Sequence, residues 1–284
     1  MKITVWGMLV MLFLVSCGNG KKETTSPNVY VSGAMDSLQF VPDSVNLQEE
    51  KVADKTVMRT PELFDDFIFN YASDEHLQKQ RTVFPLPYYN GEVSQKITAK
   101  EWKYDELFAN QSYYTLLFDN EEEMELVGDT SLISMQAEWI YLATHMVKRY
   151  YFERVEGEWM LEAINLRHME KGAEENFVSF YAKFATDSLF QSQHIRQPLK
   201  YVTVDPDDEF SILETTLDLN QWFAFAPLLP TEKLSNICYG QQNEDNSRKK
   251  ILKVNGIGNG YANIFYFRKH GGEWELYKYE DTSI

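Results

Sequence analysis

The chain writes one 25-residue stretch twice. Residues 64–88 read FDDFIFNYASDEHLQKQRTVFPLPY, and 113 positions later residues 177–201 read FVSFYAKFATDSLFQSQHIRQPLKY. Nine aligned positions are identical: Phe64/Phe177, Phe67/Phe180, Ala72/Ala185, Asp74/Asp187, Gln78/Gln191, Gln80/Gln193, Pro85/Pro198, Leu86/Leu199 and Tyr88/Tyr201. Average composition gives only about one or two matches in such a window. A chain of this kind is therefore expected to fold as two copies of one domain.

Within the first copy, Leu63, Phe64, Phe67, Ile68 and Tyr71 recur at helical spacing and define one apolar face. The second copy repeats it with Phe177, Phe180, Tyr181 and Phe184. Thr60 is placed as a helix cap, Pro61 in the first helical position and Glu62 at the amide end of the helix dipole. Asp74 and Asp187 follow a small-polar break and open a second short helix, with Leu77 and Phe190 expected to turn inward. Pro85 and Pro198 cannot continue a helix and lead into extended segments that end at Tyr88 and Tyr201.

The middle of each copy is less alike, although Trp102/Trp222 and Leu117/Ile237 align at an offset of 120. Each copy closes on an aromatic hairpin. Tyr151, Phe152, Gly157, Glu158, Trp159 and Leu161 match Tyr266, Phe267, Gly272, Glu273, Trp274 and Leu276 at an offset of 115. Glu156–Gly157 and Gly271–Gly272 supply the turn residues, and Phe152, Trp159 and Leu161 would face a core at a period of two. Helices first and antiparallel strands last is an α+β plan.

Ahead of the copies lies an apolar run, Ile3 to Val15, preceded by Lys2. It is shorter than the roughly 20 residues that span a bilayer, and it reads as the core of a signal peptide. Leu14, Val15, Ser16 and Cys17 resemble a bacterial lipobox, which implies cleavage before Cys17 and acylation of its thiol. The acyl chains would hold the mature protein to a membrane. Residues 18–20 (Gly18, Asn19, Gly20) carry no Asp, which favours the outer membrane. The organisation expected is a signal peptide at 1–17, a polar tether at 18–59 with an end-to-end distance of roughly 35 Å, and copies at 60–170 and 171–284.

With Cys17 acylated, Cys238 has no intramolecular partner, so stability must come from apolar cores. A net charge of −16 argues against nucleic acid as a partner and against electrostatic attachment to anionic lipid.

The order helix, short helix, strand, Trp-bearing middle and long strands ending in a Gly-Glu-Trp hairpin resembles the cone-shaped domain of the nuclear transport factor two superfamily. The tandem arrangement behind a lipobox is similar to a family of bacterial envelope lipoproteins assigned to that superfamily. The resemblance implies two tandem cones, each with N-terminal helices packed on a curved antiparallel sheet around a pocket. The brief connection near Leu166 to Ala173 implies that the copies touch, as an intrachain pseudo-dimer about an approximate two-fold axis.

Candidate chemistry is sparse. Asp74/Asp187, Gln78/Gln191 and Arg81/His194 occupy matched positions 0, 4 and 7 of the second helix, where they would line one wall of the cone. The alternative is an N-cap aspartate followed by solvated residues. Asp187 and His194 are the catalytic candidates, since an Asp–His pair would do acid/base work near neutral pH. Asp74, Gln78, Arg81, Tyr88, Gln191 and Tyr201 are the candidate ligand-binding residues. No metal site is indicated: His76, His145, His168, His194 and His270 show no ligand spacing, and no cysteine pair exists. The acidic runs Asp205–Glu209 and Glu121–Glu123 read as solvated loops, and Gly256, Gly258 and Gly260 as a turn and not a dinucleotide fingerprint. No cofactor is expected.

The function these features favour is non-catalytic binding of a small ligand or an envelope protein by a lipid-anchored cell-envelope protein. The alternatives are a small hydrolase or isomerase using an acid/base pair in one cone, and a structural spacer or assembly protein with filled cones.

Overall fold

The computed structural model describes residues 62–240 and 247–284. The apolar run, Cys17, the polar stretch 18–59 and the expected cap Thr60–Pro61 lie outside the described residues.

The first copy runs α1 (Phe64–Ser73), α2 (Glu75–Gln80), β1 (Leu86–Asn90), β2 (Val93–Ile97), β3 (Tyr113–Phe118), β4 (Ser134–Tyr141), β5 (Met146–Val155) and β6 (Glu158–His168). The second runs α3 (Ala173–Thr186), α4 (Ser188–Gln193), β7 (Ile195–Asp205), β8 (Asp208–Leu217), α5 (Leu219–Phe225), β9 (Lys233–Cys238), β10 (Lys249–Gly256), β11 (Ala262–His270) and β12 (Glu273–Asp281). The architecture is α+β, with two six-stranded sheets.

Phe64, Phe67, Ile68 and Tyr71 form the buried face of α1. The helix stops at Ser73 because Asp74 adopts an extended conformation, and its carboxylate accepts from the amides of His76 and Leu77 at 2.8 and 3.0 Å. Asp187 does the same between α3 and α4, accepting from Leu189 and Phe190. One aspartate thus ends one helix and caps the next, satisfying amides that would otherwise lack partners.

Two local expectations are corrected. Glu62 does not sit in the first turn of α1, which begins at Phe64 with Asp65 and Asp66 as its acids. The Glu62 carboxylate pairs with Arg81 at 3.3 Å, and its carbonyl accepts from the Trp159 indole at 3.2 Å. On the second helix of each copy the buried residue is the glutamine, Gln78 in α2 and Gln191 in α4, while Leu77 and Phe190 are only half-buried.

The hairpins turn where positive φ is available, at Glu156–Gly157 and Gly271–Gly272. Phe152, Trp159 and Leu161 are fully buried, as are Phe267 and Leu276, with Trp274 close behind. Phe64 meets the Trp159 ring edge-on at 5.1 Å, and Phe177 meets Trp274 at 5.1 Å. Each hairpin also carries a β-bulge, between Tyr151/Phe152 against β6 and between Tyr266/Phe267 against β12. The extra residue breaks the two-residue alternation. As a result Ile164 joins Leu161 on the core side of β6, and Tyr279 joins Leu276 on β12.

The sheets do not follow the sequence copies strand for strand. Their orders are β2-β1-β6-β5-β4-β9 and β3-β10-β11-β12-β7-β8. The strand that follows the Trp-bearing middle leaves its own copy: β3 pairs antiparallel with β10, and β9 pairs antiparallel with β4. The two exchanged strands meet at Thr115 and Ser235, 120 residues apart. The Thr115 amide donates to Ser235 Oγ (2.7 Å), Thr115 Oγ1 donates to the Ser235 carbonyl (2.5 Å), and Ser235 Oγ donates to the Thr115 carbonyl (3.1 Å). The Leu117 amide is taken by Asn236 Oδ1 at 2.9 Å. Two sheet edges that would otherwise present unpaired backbone groups are closed by these side chains.

The exchange also mixes the cores. Leu116 and Phe118 of β3 pack with Phe64, Tyr150, Ile237 and Tyr266, whereas Leu117 joins Phe177, Trp222 and Phe265 in the other cluster. Alternate residues of a single strand thereby serve two cores.

Candidate functional site

Gln78 is fully buried, and its amide is spent on backbone. Nε2 donates to the carbonyls of Tyr71 (3.1 Å) and Asp105 (2.8 Å), while Oε1 accepts from the Asp105 amide (2.9 Å). This bracket pins residue 105 against α2 and presents its side chain to β5. Asp105 Oδ2 accepts from Lys148 Nζ and from the Tyr150 hydroxyl, both at 2.6 Å, and Oδ1 accepts from the Leu107 amide at 3.1 Å. Burial works against the charged carboxylate, but Lys148, Tyr150 and the Leu107 amide together hold its pKa below the ordinary aspartate value. The same surroundings, burial first and then the Asp105 charge, push the Tyr150 hydroxyl far up.

Over this triad opens a cavity of about 530 Å³, with Tyr88, Ile97, Trp102, Leu107 and Ile164 on its apolar side and the charged Glu101, Lys103, Asp105, Glu106 and Lys148 completing the lining. β1 contributes Tyr88, the end of β2 contributes Ile97, β5 contributes Lys148, and the bulge in β6 turns Ile164 inward. Trp102 meets Phe84 edge-on at 5.8 Å, and its indole N–H is buried with no hydrogen-bond partner among the described residues. An apolar side facing converging charged and polar groups gives such a cavity the means to hold a small molecule in one orientation.

The second copy places different residues at the matched positions. At the offset of 120, Asp105 becomes Phe225; at the offset of 115, Lys148 becomes Asn263, Tyr150 becomes Phe265 and Ile164 becomes Tyr279. Gln191 repeats the bond to its own α3, donating to the Phe184 carbonyl at 2.9 Å, but its Oε1 accepts from the Trp222 indole at 2.7 Å. Trp222 is held almost fully buried, edge-on to Tyr279 at 5.4 Å. Tyr279 stacks between Tyr201 (5.6 Å) and Phe265 (5.1 Å). Rings fill the place matched to the first triad, and a smaller cavity of about 390 Å³ lies beside Gln191 and Trp222, against Ala185, Phe223, Pro227 and Leu229.

The divergence has a local origin. Both middles begin with a capping arrangement, Thr98 with Glu101 and Asp218 with Gln221. In the second copy the turn continues as α5 and delivers Trp222 to Gln191. In the first it unwinds after Trp102, and the backbone of Asp105 takes the matched glutamine instead. One side-chain amide present in both copies takes two different partners, and only the first copy keeps its cavity over the triad positions.

The residues singled out on the second helix do not form a common wall. Asp74 and Asp187 cap helices at the surface. Gln78 and Gln191 are buried braces. Arg81 pairs with Glu62 (3.3 Å) and Glu158 (3.2 Å) beneath the first hairpin. His194 donates from Nδ1 to the Phe190 carbonyl at 2.7 Å and stacks on the Phe190 ring at 3.9 Å. No hydrogen bond joins Asp187 to His194 among the described residues. Tyr88 lines the open cavity, and Tyr201 belongs to the ring stack of the filled one.

The sequence reading missed Trp102 as a lining residue, together with Asp105, Lys148 and Ile164. The available signal was the set of positions where the copies disagree, Asp105/Phe225, Lys148/Asn263 and Ile164/Tyr279.

A second polar concentration lies between the two sheets. Arg149 Nε binds Glu138 Oε1 at 2.5 Å, Asn236 Nδ2 donates to Glu138 Oε2 at 3.2 Å, and Lys250 pairs with Asp119. Burial first, then the charges of Glu138 and Asp119, raise the pKa of Glu174 against the opposing pull of Lys250 and Arg149. Arg149–Glu138 pairs within one sheet and Lys250–Asp119 beside the other, as buried charges require partners, and the adjoining cavity measures only about 110 Å³. Among the described residues no group of three or more His, Cys, Asp or Glu side chains is placed to hold a metal ion, and no helix is long and apolar enough to cross a membrane.

Residues 44–281 match the family model described as a domain of unknown function, DUF4348. A crystal structure of an NTF2-like protein from Bacteroides fragilis NCTC 9343, determined at 2.15 Å resolution, is similar to this chain at 67% sequence identity. The similarity covers 80% of this chain and 99% of that one, with a TM-score of 0.76. Comparison with curated proteins returns no match. The chain therefore belongs to the DUF4348 family and has an NTF2-like fold.

Proposed function

We propose that this protein is a lipoprotein of the cell envelope that binds a small ligand in its first cone without chemical turnover. The observation that carries the binding role is the asymmetry of the interiors. The first keeps a cavity of about 530 Å³ over the Asp105–Lys148–Tyr150 triad, where the second packs Trp222, Phe265 and Tyr279. That volume lies within the several hundred Å³ typical of small-molecule sites. Asp187 and His194 are each bonded elsewhere, which favours binding over acid/base chemistry.

The anchor rests on the tetrapeptide Leu14–Cys17, and an outer-membrane location on the residues that follow it. The two copies, 60–170 and 171–284, descend on this reading from one duplicated domain and pack as an intrachain pseudo-dimer, the second bracing the first. Support comes from the Thr115–Ser235 contact between equivalent residues and from the matched Phe64–Trp159 and Phe177–Trp274 pairs.

The test is a thermal-shift screen of the protein lacking residues 1–17 against small envelope metabolites, because a ligand that binds only the native state raises Tm by mass action. A ligand whose shift survives Tyr201→Phe and is lost in Ile164→Trp, which fills the first cavity, supports the reading. Shifts unaffected by Ile164→Trp count against it. Expression with a labelled fatty acid is expected to label the wild type and not Cys17→Ser.

A further inference from the structure

The geometry points to a second binding site, in the second copy and independent of the first cone: the cavity of about 390 Å³ beside Gln191 and Trp222 takes an uncharged aromatic or aliphatic molecule.

Only helices and one turn build this cavity. The end of α3 supplies Ala185 and Thr186, α4 supplies Ser188 and Gln191, α5 supplies Trp222 and Phe223, and the turn at 226–229 completes the lining. No strand lines it, which sets it apart from the ring stack of Tyr201, Phe265 and Tyr279 on β7, β11 and β12. Its walls are tied together within the fold. Gln191 donates to the Phe184 carbonyl at 2.9 Å and accepts from the Trp222 indole at 2.7 Å, which joins α4 to both α3 and α5. α5 ends where Ala226 turns left-handed (φ 43°) ahead of Pro227, and the Leu228 amide donates to the Tyr261 hydroxyl at 3.0 Å. A concavity held in this way spares a ligand the cost of ordering it.

The chemistry is opposite to that of the first cavity. None of the residues lining the second is ionisable, whereas five charged side chains line the first. The change arises in one matched segment. At the offset of 120, Glu101, Lys103, Asp105 and Glu106 give way to Gln221, Phe223, Phe225 and Ala226, while the tryptophan between them is kept. Across the stretches 185–191 and 222–229 the one charged residue is Asp187, and its Oδ1 is engaged by the Leu189 and Phe190 amides. Of the polar lining groups, Gln191 is spent on Phe184 and Trp222, Thr186 donates to the Ala182 carbonyl at 2.8 Å, and Ser188 is exposed.

A charged ligand would give up water in this cavity without gaining a counter-ion from its lining. Phe223 and Leu228, both lining residues, are 40% and 41% exposed, so a ring or hydrocarbon chain seated there covers apolar surface that now faces water.

The experiment uses the protein lacking residues 1–17 and two fluorescent probes with one aromatic body, the neutral N-phenyl-1-naphthylamine and the anionic 8-anilinonaphthalene-1-sulfonate. The neutral probe is expected to bind at least about tenfold more tightly than the sulfonate. Phe223→Lys installs the residue that the first copy has at the matched position, and should weaken the neutral probe several-fold while narrowing its advantage over the sulfonate. Leu228→Glu should weaken both probes. Each substitution falls on a partly exposed side chain, and an unchanged far-UV spectrum checks that the variant is folded. Ile164→Trp, which fills the first cavity, should leave the neutral probe unaffected. Equal binding of the two probes overturns the ligand class. Neutral-probe binding that survives Phe223→Lys and Leu228→Glu, or its complete absence, overturns the site; if that binding is instead lost in Ile164→Trp, the probe occupies the first cone and only the second site falls. A dimer in sedimentation velocity that Phe223→Lys dissociates, with no probe bound, gives this surface to a second copy of the chain and overturns the inference as well.

Discussion

Replacing Gln78 with Leu removes a side chain of similar size that satisfies three backbone groups, the Tyr71 carbonyl and the carbonyl and amide of Asp105. Leaving a buried polar group unpaired costs about 1–3 kcal/mol. Asp105 lies near the cavity, where water reaches part of the deficit, so a total of about 3–5 kcal/mol is expected. Against a stability of about 5–15 kcal/mol this is a large fraction. At roughly 2–4 °C per kcal/mol for a protein of this size, Tm falls by about 10 °C. Gln191→Leu orphans two groups, the Phe184 carbonyl and the Trp222 indole, and is expected to cost less, about 2–4 kcal/mol. Urea unfolding with unchanged m-value gives both numbers. Only Gln78→Leu should also weaken binding in the first cone, because only there does the glutamine position the Asp105–Lys148 pair. A Gln78→Leu cost below about 1 kcal/mol, or the reverse order of the two variants, would refute the bracket as the support of the site.

Because β3 and β9 each complete the other copy's sheet, polypeptides 60–170 and 171–284 expressed apart should lack near-UV dichroism and regain it on mixing; two halves that each unfold cooperatively alone would contradict this. The folded pKa of Asp105 is depressed, so its contribution is present above the ordinary aspartate range near 4 and is lost as pH falls through the folded value. Asp105→Asn should therefore be less stable than wild type at pH 6, with the difference shrinking toward pH 2 in denaturant titrations. Glu174 has the opposite sign: its folded pKa is raised, so its ionisation costs stability as pH climbs from the ordinary glutamate value through the folded one. Glu174→Gln should match wild type at acid pH and equal or exceed it at pH 7 by the same assay.

The α+β plan, the capping aspartates, the inward Phe152–Trp159–Leu161 register and the turn glycines were all legible in the residues, because each depends on contacts within about ten positions of the chain. The apolar period of α1 and the Asp74 cap need no knowledge of what lies across the sheet. Polar residues on α2 were harder. Gln78 and Asp74 share a helix face by spacing, yet one is wholly buried and the other exposed, and spacing carries no information about the backbone at 105 that arrives to meet Gln78.

What the sequence determined by itself was the doubling and the local elements of each copy. Tertiary structure alone decided that β3 and β9 change places, since strand partners are set by long-range pairing and the two outer strands carry similar apolar patterns. It also decided which cone stays open. Gln78 and Gln191 are the same residue in the same helix, and a buried amide takes whichever partner the fold brings within hydrogen-bond reach: an indole that fills the second interior, a backbone segment that leaves the first one empty.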